Sequence, residues 1–187
     1  MSAYKISATG TAGKITQNTF NPDSAHPVLI LDLDRTLSVK DTLLVQFFDI
    51  TKRNPFRAAA CLALLVLHGR IQFKQACLEH AINWENIPLN REVLEISSKF
   101  PKENIILATA SLQESAIKFL NSNPQIPEHL KQAHVIGSSS HTNLKGKAKA
   151  LALSKTLNLQ KFRTVFVTDS KSDIPTSEIC TKTIWIN

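Results

Sequence analysis

The sequence predicts an α/β fold: a parallel sheet flanked by helices, with an all-helical cap inserted after the first strand. Three observations carry this. Short continuous apolar runs recur along the chain, as expected of strands covered on both faces. Segments with helical apolar spacing separate most of them, and strand–helix alternation builds a parallel sheet. Residues 42–100 break that alternation and read as helices alone.

Taken in order, residues 1–26 are rich in Ser, Thr, Ala and Gly without a sustained apolar period, and read as a mobile leader. The first strand is "VLILDL" (28–33). The cap over 42–100 contains the helical segments "TLLVQFFDITKR", "PFRAAACLALLVLHG", "IQFKQACLEHAI" and "NREVLEISSKF". Four more strands follow: "NIILAT" (104–109), "AHVIG" (133–137), "TVFVTD" (164–169) and "TIWIN" (183–187). Ser111 and Glu114 have capping-box spacing, which places a helix start at Ser111 with Ala116, Ile117 and Leu120 on one face. A second core helix carries Ala150, Leu153 and Leu157 at steps of three and four. The organisation expected is a core from 27–41 and 101–187, with the cap between.

With 187 residues and 43% hydrophobic composition, one well-packed domain is expected and wholesale disorder is excluded. The cysteines Cys61, Cys77 and Cys180 form no C-x-x-C pair and read as small buried hydrophobes in a reducing compartment. His68 and His80 read as cap-surface residues, and no other histidine has metal-ligand spacing. The longest apolar run, Ala58 to Leu67, is half the roughly 20 residues that span a bilayer. No signal-peptide pattern opens the chain, so a soluble, cytoplasmic protein is expected. The net charge of +7 favours anionic partners. Aromatics at 6%, with no zinc-finger or RNA-binding-strand pattern, argue against nucleic acid.

In open parallel sheets, ligands bind outside the carboxyl ends of the strands. The polar residues at those ends are Asp32, Asp34 and Thr36, then Thr109 and Ser111, then Asp169 with Asp173 four places on. "NLKGKAK" adds Lys145, with Lys149 as the alternative. An apolar strand driven into paired acids needs compensation for burying charge. Several carboxylates at one point raise one another's pKa, and a hard divalent cation with oxygen ligands, Mg²⁺, resolves this. The cation attracts a phosphate, with Thr109, Lys145 and helix-start N–H groups as further binders. Asp32 can then act as nucleophile and Asp34 as acid and base.

These residues resemble the haloacid dehalogenase-like hydrolase superfamily: "DLDRT", "IILAT", "NLKG" and "DSKSD" stand in the order of its four motifs, from Val28 to the C-terminus. The resemblance implies a Rossmann-like sheet, a helical cap and a phosphatase acting through an aspartyl-phosphate on Asp32, with Asp34 as acid-base group. It further implies phosphate binding by Thr109 and Lys145, and a Mg²⁺ site drawn from Asp32, the backbone carbonyl of Asp34, and Asp169, with Asp173 supporting it. Two residues depart from the pattern: Arg35 and Thr168 stand where glycine is frequent, and a β-branched residue at 168 would crowd the metal loop. A low-turnover binding or regulatory domain, and a phosphotransferase or mutase, are the competing functions.

"TNLKGKAKALAL", "DSKSDIP" and the apolar cap are also similar to the hydrolase domain that precedes some membrane prenyltransferases of the 4-hydroxybenzoate type. This implies a prenyl- or lipid-linked phosphate as substrate. Between Val45 and Leu78 stand Lys52, Arg53, Arg57, Arg70 and Lys74 against a single acid, Asp49. Such a cap suits peripheral contact with an anionic membrane, a grip on a lipid phosphate, or ordinary packing on a partner helix. Oligomeric state leaves no trace in the sequence.

Overall fold

The structure, a computed structural model, describes residues 22, 25–78, 84–159 and 161–186. The leader expected over 1–26 lies almost wholly outside the described residues, as do the end of the third cap helix and His80.

Five parallel strands make one sheet: β1 (Val28–Leu31), β2 (Ile105–Leu112), β3 (His134–Ser138), β4 (Thr164–Thr168) and β5 (Lys182–Trp185). Their order is β3-β2-β1-β4-β5, so β1 is central and wholly buried, which is why its apolar run is continuous. Alternate residues serve opposite faces. Leu29, Leu31, Ile105, Leu107 and Val167 enter one core with α5 (Gln113–Ser122), through Ala116, Phe119 and Leu120. Val28, Ile30, Ile106, Ala108 and Phe166 enter the other with Leu153 of α7 (Lys147–Thr156) and Leu157 just past it. The chain runs outward from β1 to β2 and β3, then returns to β4 on the far side of β1. The resulting switch point, beyond the carboxyl ends of β1 and β4, is where this architecture binds ligands.

The inserted helices are α1 (Thr42–Arg53), α2 (Pro55–His68), α3 (Arg70–Leu78) and α4 (Arg91–Ser97). Asp41 caps α1 by accepting the Leu44 N–H, and Asn54 caps α2 ahead of Pro55 at its first position. α1–α3 share a small core of Ile50, Ala58, Cys61, Phe73 and Cys77. Trp84, Ile87, Leu89 and Val93 instead join the core of the sheet, with the Trp84 ring edge-on to Phe119 at 5.9 Å. The separately packed cap is therefore α1–α3, narrower than 42–100. The remaining short helix before β3, α6 (Glu128–Lys131), buries Leu130 against the sheet, and α8 (Ile174–Ser177) follows β4.

The largest departure from the sequence reading is at the end of β2. The strand continues past Thr109 to Leu112, with a register shift against β3 between Ala108 and Leu112. Ser111 is thus a strand residue, and α5 starts after Leu112 with no side-chain cap. The capping-box spacing of Ser111 and Glu114 is not used, because Ser111 is drawn into the site described below. β3 runs so close to the start of α5 that a Cβ on Gly137 would lie 2.5 Å from Gln113 Cα. Gly137→Ala is expected to lower unfolding stability by about 1–3 kcal/mol in denaturant melts, since backbone rather than a flexible side chain must move.

Candidate active site

At the switch point a cavity of about 460 Å³ lies between sheet and cap. Its floor holds Asp32, Asp34, Ser111, Lys149, Asp169 and Asp173, and its cap side holds Leu43, Leu44, Leu65, Arg70, Phe73 and Lys74.

Asp32 follows β1 directly, its N–H bonded to the Val167 carbonyl of β4. Its carboxylate is buried and accepts from Lys149 Nζ at 2.9 Å, while the same ammonium donates to Asp173 Oδ2 at 2.8 Å. Lys149 is 2% exposed. It reaches the site because Gly146, at φ 57°, turns the chain into α7 and so sets the phase of the helix. Burial pushes the Asp32 carboxyl up to about 7 against the pull of Lys149, with Asp173 adding to the rise. Lys149 is held above its usual range by Asp32 and Asp173, which together outweigh its own burial, the largest single effect on it.

Asp34 lies in the loop after β1 and is held differently. The Thr42 N–H and hydroxyl both donate to its Oδ1, at 2.7 and 2.6 Å, and the Ser111 hydroxyl donates to Oδ2 at 2.7 Å. Burial is the main cause of its raised pKa; the Thr42 and Ser111 donors oppose it. Two neighbouring carboxyls thus have separate environments, one against an ammonium and one among neutral donors.

Asp169 follows β4 and is tied to the β1 loop through Thr36. The Thr36 hydroxyl accepts the Asp169 N–H at 3.0 Å and donates to its Oδ1 at 3.3 Å. Asp173 lies below, buried, accepting from Lys149 and from the Thr168 hydroxyl at 2.9 Å.

Asp173, expected to support the cation site, is engaged by Lys149 and Thr168. The Asp34 carboxylate is engaged by Thr42 and Ser111, whereas the group expected on the cation is its backbone carbonyl. Among the described residues, no group of three acidic, histidine or cysteine side chains is arranged to hold a metal. Asp32 and Asp169, which end adjacent strands and line one cavity, are hard oxygen donors that fit a divalent cation completed by water.

No family model and no curated protein matches the chain. Solved structures do. A protein of unknown function from Bordetella pertussis Tohama I matches with TM-score 0.59 at 15% identity, over 84% of this chain and 88% of that one. A phosphoserine phosphohydrolase-like protein from Francisella tularensis matches with TM-score 0.52 at 17% identity, over 86% and 87%. A HAD family hydrolase from Salmonella enterica serovar Typhi matches with TM-score 0.52 at 9% identity, over 86% and 62%.

The chain has the haloacid dehalogenase-like fold.

Within this haloacid dehalogenase-like frame the expected residues can be placed one by one. Asp32, Asp34, Asp169 and Asp173 do gather at the switch point. Lys145, the expected phosphate lysine, is an exposed residue on the cavity lining, and the ammonium on Asp32 belongs to Lys149. The sequence held a signal for this: Lys149 stands four residues before Leu153 and eight before Leu157, on the buried stripe of α7. Thr109 is fully buried and its oxygen accepts the Ser111 N–H, so Ser111, not Thr109, lines the cavity. Thr168 does not crowd the loop; its hydroxyl supports Asp173 and accepts the Ser170 N–H at 3.2 Å. Arg35 sits at φ 60°, which explains why glycine suits that position. Lys74, counted only among the cap's basic residues, enters the cavity from α3.

Because burial holds the Asp32 pKa in the folded protein near 7 against 3.8, the group favours folding below pH 4. That contribution is lost as pH rises through 7. In protein kept free of divalent cations, Asp32→Asn is expected to flatten this part of the pH–stability profile. At pH 8 the variant should exceed the parent by up to a few kcal/mol, measured by denaturant melts from pH 4 to 8.

Proposed function

We propose that the protein is a phosphomonoester hydrolase acting through an aspartyl-phosphate on Asp32. One observation carries the reading: adjacent carboxyls in one cavity, both raised by burial but differently partnered, Asp32 against a buried ammonium that pulls it down and Asp34 among neutral donors. Groups with such distinct environments suit a nucleophile beside a general acid. The fold neighbours, one of them named phosphoserine phosphohydrolase-like, agree with it.

In the first step an Asp32 carboxylate oxygen bonds to phosphorus and the bond from phosphorus to the leaving oxygen breaks. Asp34 gives its proton to that oxygen. In the second step Asp34 takes a proton from water, the water oxygen bonds to phosphorus, and the Asp32–phosphorus bond breaks, releasing phosphate and restoring both acids. Lys149 holds Asp32 in place and offers positive charge to the transferring phosphoryl group, and the Ser111 hydroxyl orients Asp34. Asp32 and Asp169 would hold Mg²⁺, which supplies charge neutralisation for the phosphoryl oxygens when bound. Thr36 fixes Asp169 for that purpose.

An apolar leaving group is part of the proposal, in keeping with a prenyl- or lipid-linked phosphate. Leu43, Leu44, Leu65 and Phe73 line the cap side of the cavity. On the outer side of the cap, Phe56, Val66 and Leu67 of α2 are 89%, 83% and 73% exposed. Lys52, Arg53, Arg57 and Arg70 flank them, also exposed. An exposed apolar helix in a basic surround is complementary to an anionic bilayer, and we assign α2 to peripheral contact with one. Among the described residues no helix is long and apolar enough to cross a membrane.

Phosphate release from an aryl phosphate in Mg²⁺ is expected to stop with chelator and to fall at least about 10³-fold in Asp32→Asn. Asp34→Asn should cost about 10²–10⁴-fold. Lys149→Met should cost about 10²-fold or more and far exceed Lys145→Met; the reverse order would return the role to Lys145. For the membrane contact, co-sedimentation with phosphatidylglycerol-containing vesicles is expected, lost with neutral vesicles and in Val66→Asp/Leu67→Asp. Equal sedimentation of parent and variant would refute it.

A further inference from the structure

The proposed chemistry leaves one buried cation of the cavity unused. Lys74 projects from α3 of the cap and is 8% exposed. Its ammonium donates to the Ala110 carbonyl at 2.5 Å and to Asn143 Oδ1 at 2.7 Å. An ammonium has three donors, and here two meet neutral acceptors. Among the described residues no carboxylate forms an ion pair with it, in contrast to Lys149, which has two. A buried charge compensated only by neutral oxygens is costly, and an arriving anion would offset that cost. Lys74 also has a definite side of the cavity. Its partner Ala110 directly precedes Ser111, whose hydroxyl bonds Asp34, whereas Lys149 is bonded to Asp32 and Asp173. It therefore flanks the position of the leaving oxygen, which Asp34 protonates, rather than that of the phosphoryl group. Arg70, on the same helix, and Lys145 add positive charge beside it.

We infer that Lys74, with Arg70 at the rim, binds a second anionic group on the leaving group. The preferred substrates are then phosphate esters whose leaving group carries, beside the apolar part that faces Leu43, Leu44, Leu65 and Phe73, a carboxylate or a further phosphate within a few bonds of the ester oxygen. This rests on the phosphatase reading and narrows its substrate class. The competing role for Lys74 is a purely structural latch between cap and core, through Ala110 and Asn143.

Three esters with the same two-carbon spacing separate these roles: 2-phosphoglycolate, ethane-1,2-diol bisphosphate and ethyl phosphate. The intact protein is expected to favour one or both bis-anionic esters over ethyl phosphate by about tenfold or more in kcat/KM, the worth of one charge-assisted hydrogen bond. Which of the two leads identifies the second group as carboxylate or phosphate. Lys74→Met should shrink that preference by about 10–100-fold, chiefly through KM, and Lys74→Arg should restore part of it. Equal losses on all three esters would make Lys74 a latch and overturn the inference, as would the absence of any preference in the intact protein. If the intact protein hydrolyses neither these esters nor the aryl phosphate, the phosphatase reading fails separately. Calorimetric binding of 2-phosphoglycolate, ethane-1,2-diol bisphosphate and ethyl phosphate to Asp32→Asn, with and without Lys74→Met, then decides the inference. A Lys74-dependent advantage for either bis-anionic ester upholds it, and its absence overturns it.

Discussion

The ammonium of Lys149, shared between Asp32 and Asp173 in the interior, is the interaction on which the site depends. Two carboxylates, Asp32 at the end of β1 and Asp173 in the turn after β4, repel each other and resist burial. One cation between them, with the Thr168 hydroxyl on the deeper acid, makes their burial tolerable. The arrangement leaves Asp32 facing the cavity, while Asp173 serves as support. Such buried ion pairs contribute little net stability compared with an apolar core. Their role here is positional: α7, β1 and the loop after β4 are held in one relation by three charges. The Lys149 ammonium also lies over the Phe166 ring, 6.0 Å from its centre, so the charge rests on the apolar core beneath.

The cap is joined to this centre by polar contacts more than by a continuous apolar core. α1–α3 have a cluster of their own. Among the contacts that cross to the core are the Thr42 bonds to Asp34, the Gln46 amide on Ser115 at 2.7 Å, and the Lys74 bonds to Ala110 and Asn143, with Val45 of α1 packed on the core of the sheet. The first of these places a cap residue on the proposed general acid itself, so cap position and the environment of Asp34 are coupled. Polar junctions of this kind separate at lower cost than a packed core, which suits an enclosure that admits a substrate. The resulting cavity is divided: charged and hydrogen-bonding at its floor, apolar and cationic towards the cap.

Much of this was legible beforehand. The apolar runs located the strands, and the acids at their carboxyl ends marked the switch point, because burial on both faces and strand-end chemistry are local in the chain. Three features were misread for identifiable reasons. Lys145 and Lys149 differ by about one helical turn, and only the position of the Gly146 turn decides which faces inward. Thr109 and Ser111 exchange roles because β2 shifts register and runs on, so the hydroxyl spaced to cap a helix orients a carboxylate instead. Thr168, suspect as a bulky replacement for glycine, fits because its hydroxyl has an acidic partner five residues on.

The sequence by itself determined the parallel sheet, the helical insertion and which four acids meet at one edge of the sheet, since each follows from local periodicity and chain order. Only the tertiary structure decided how those acids are partnered: Asp173 beneath Lys149, Asp34 among hydroxyls from cap and core, Asp169 on Thr36, and Lys74 brought in from the cap. The physical reason is that partnership depends on helix phase, strand register and cap placement. These are set by packing between segments tens of residues apart, and no local pattern records them.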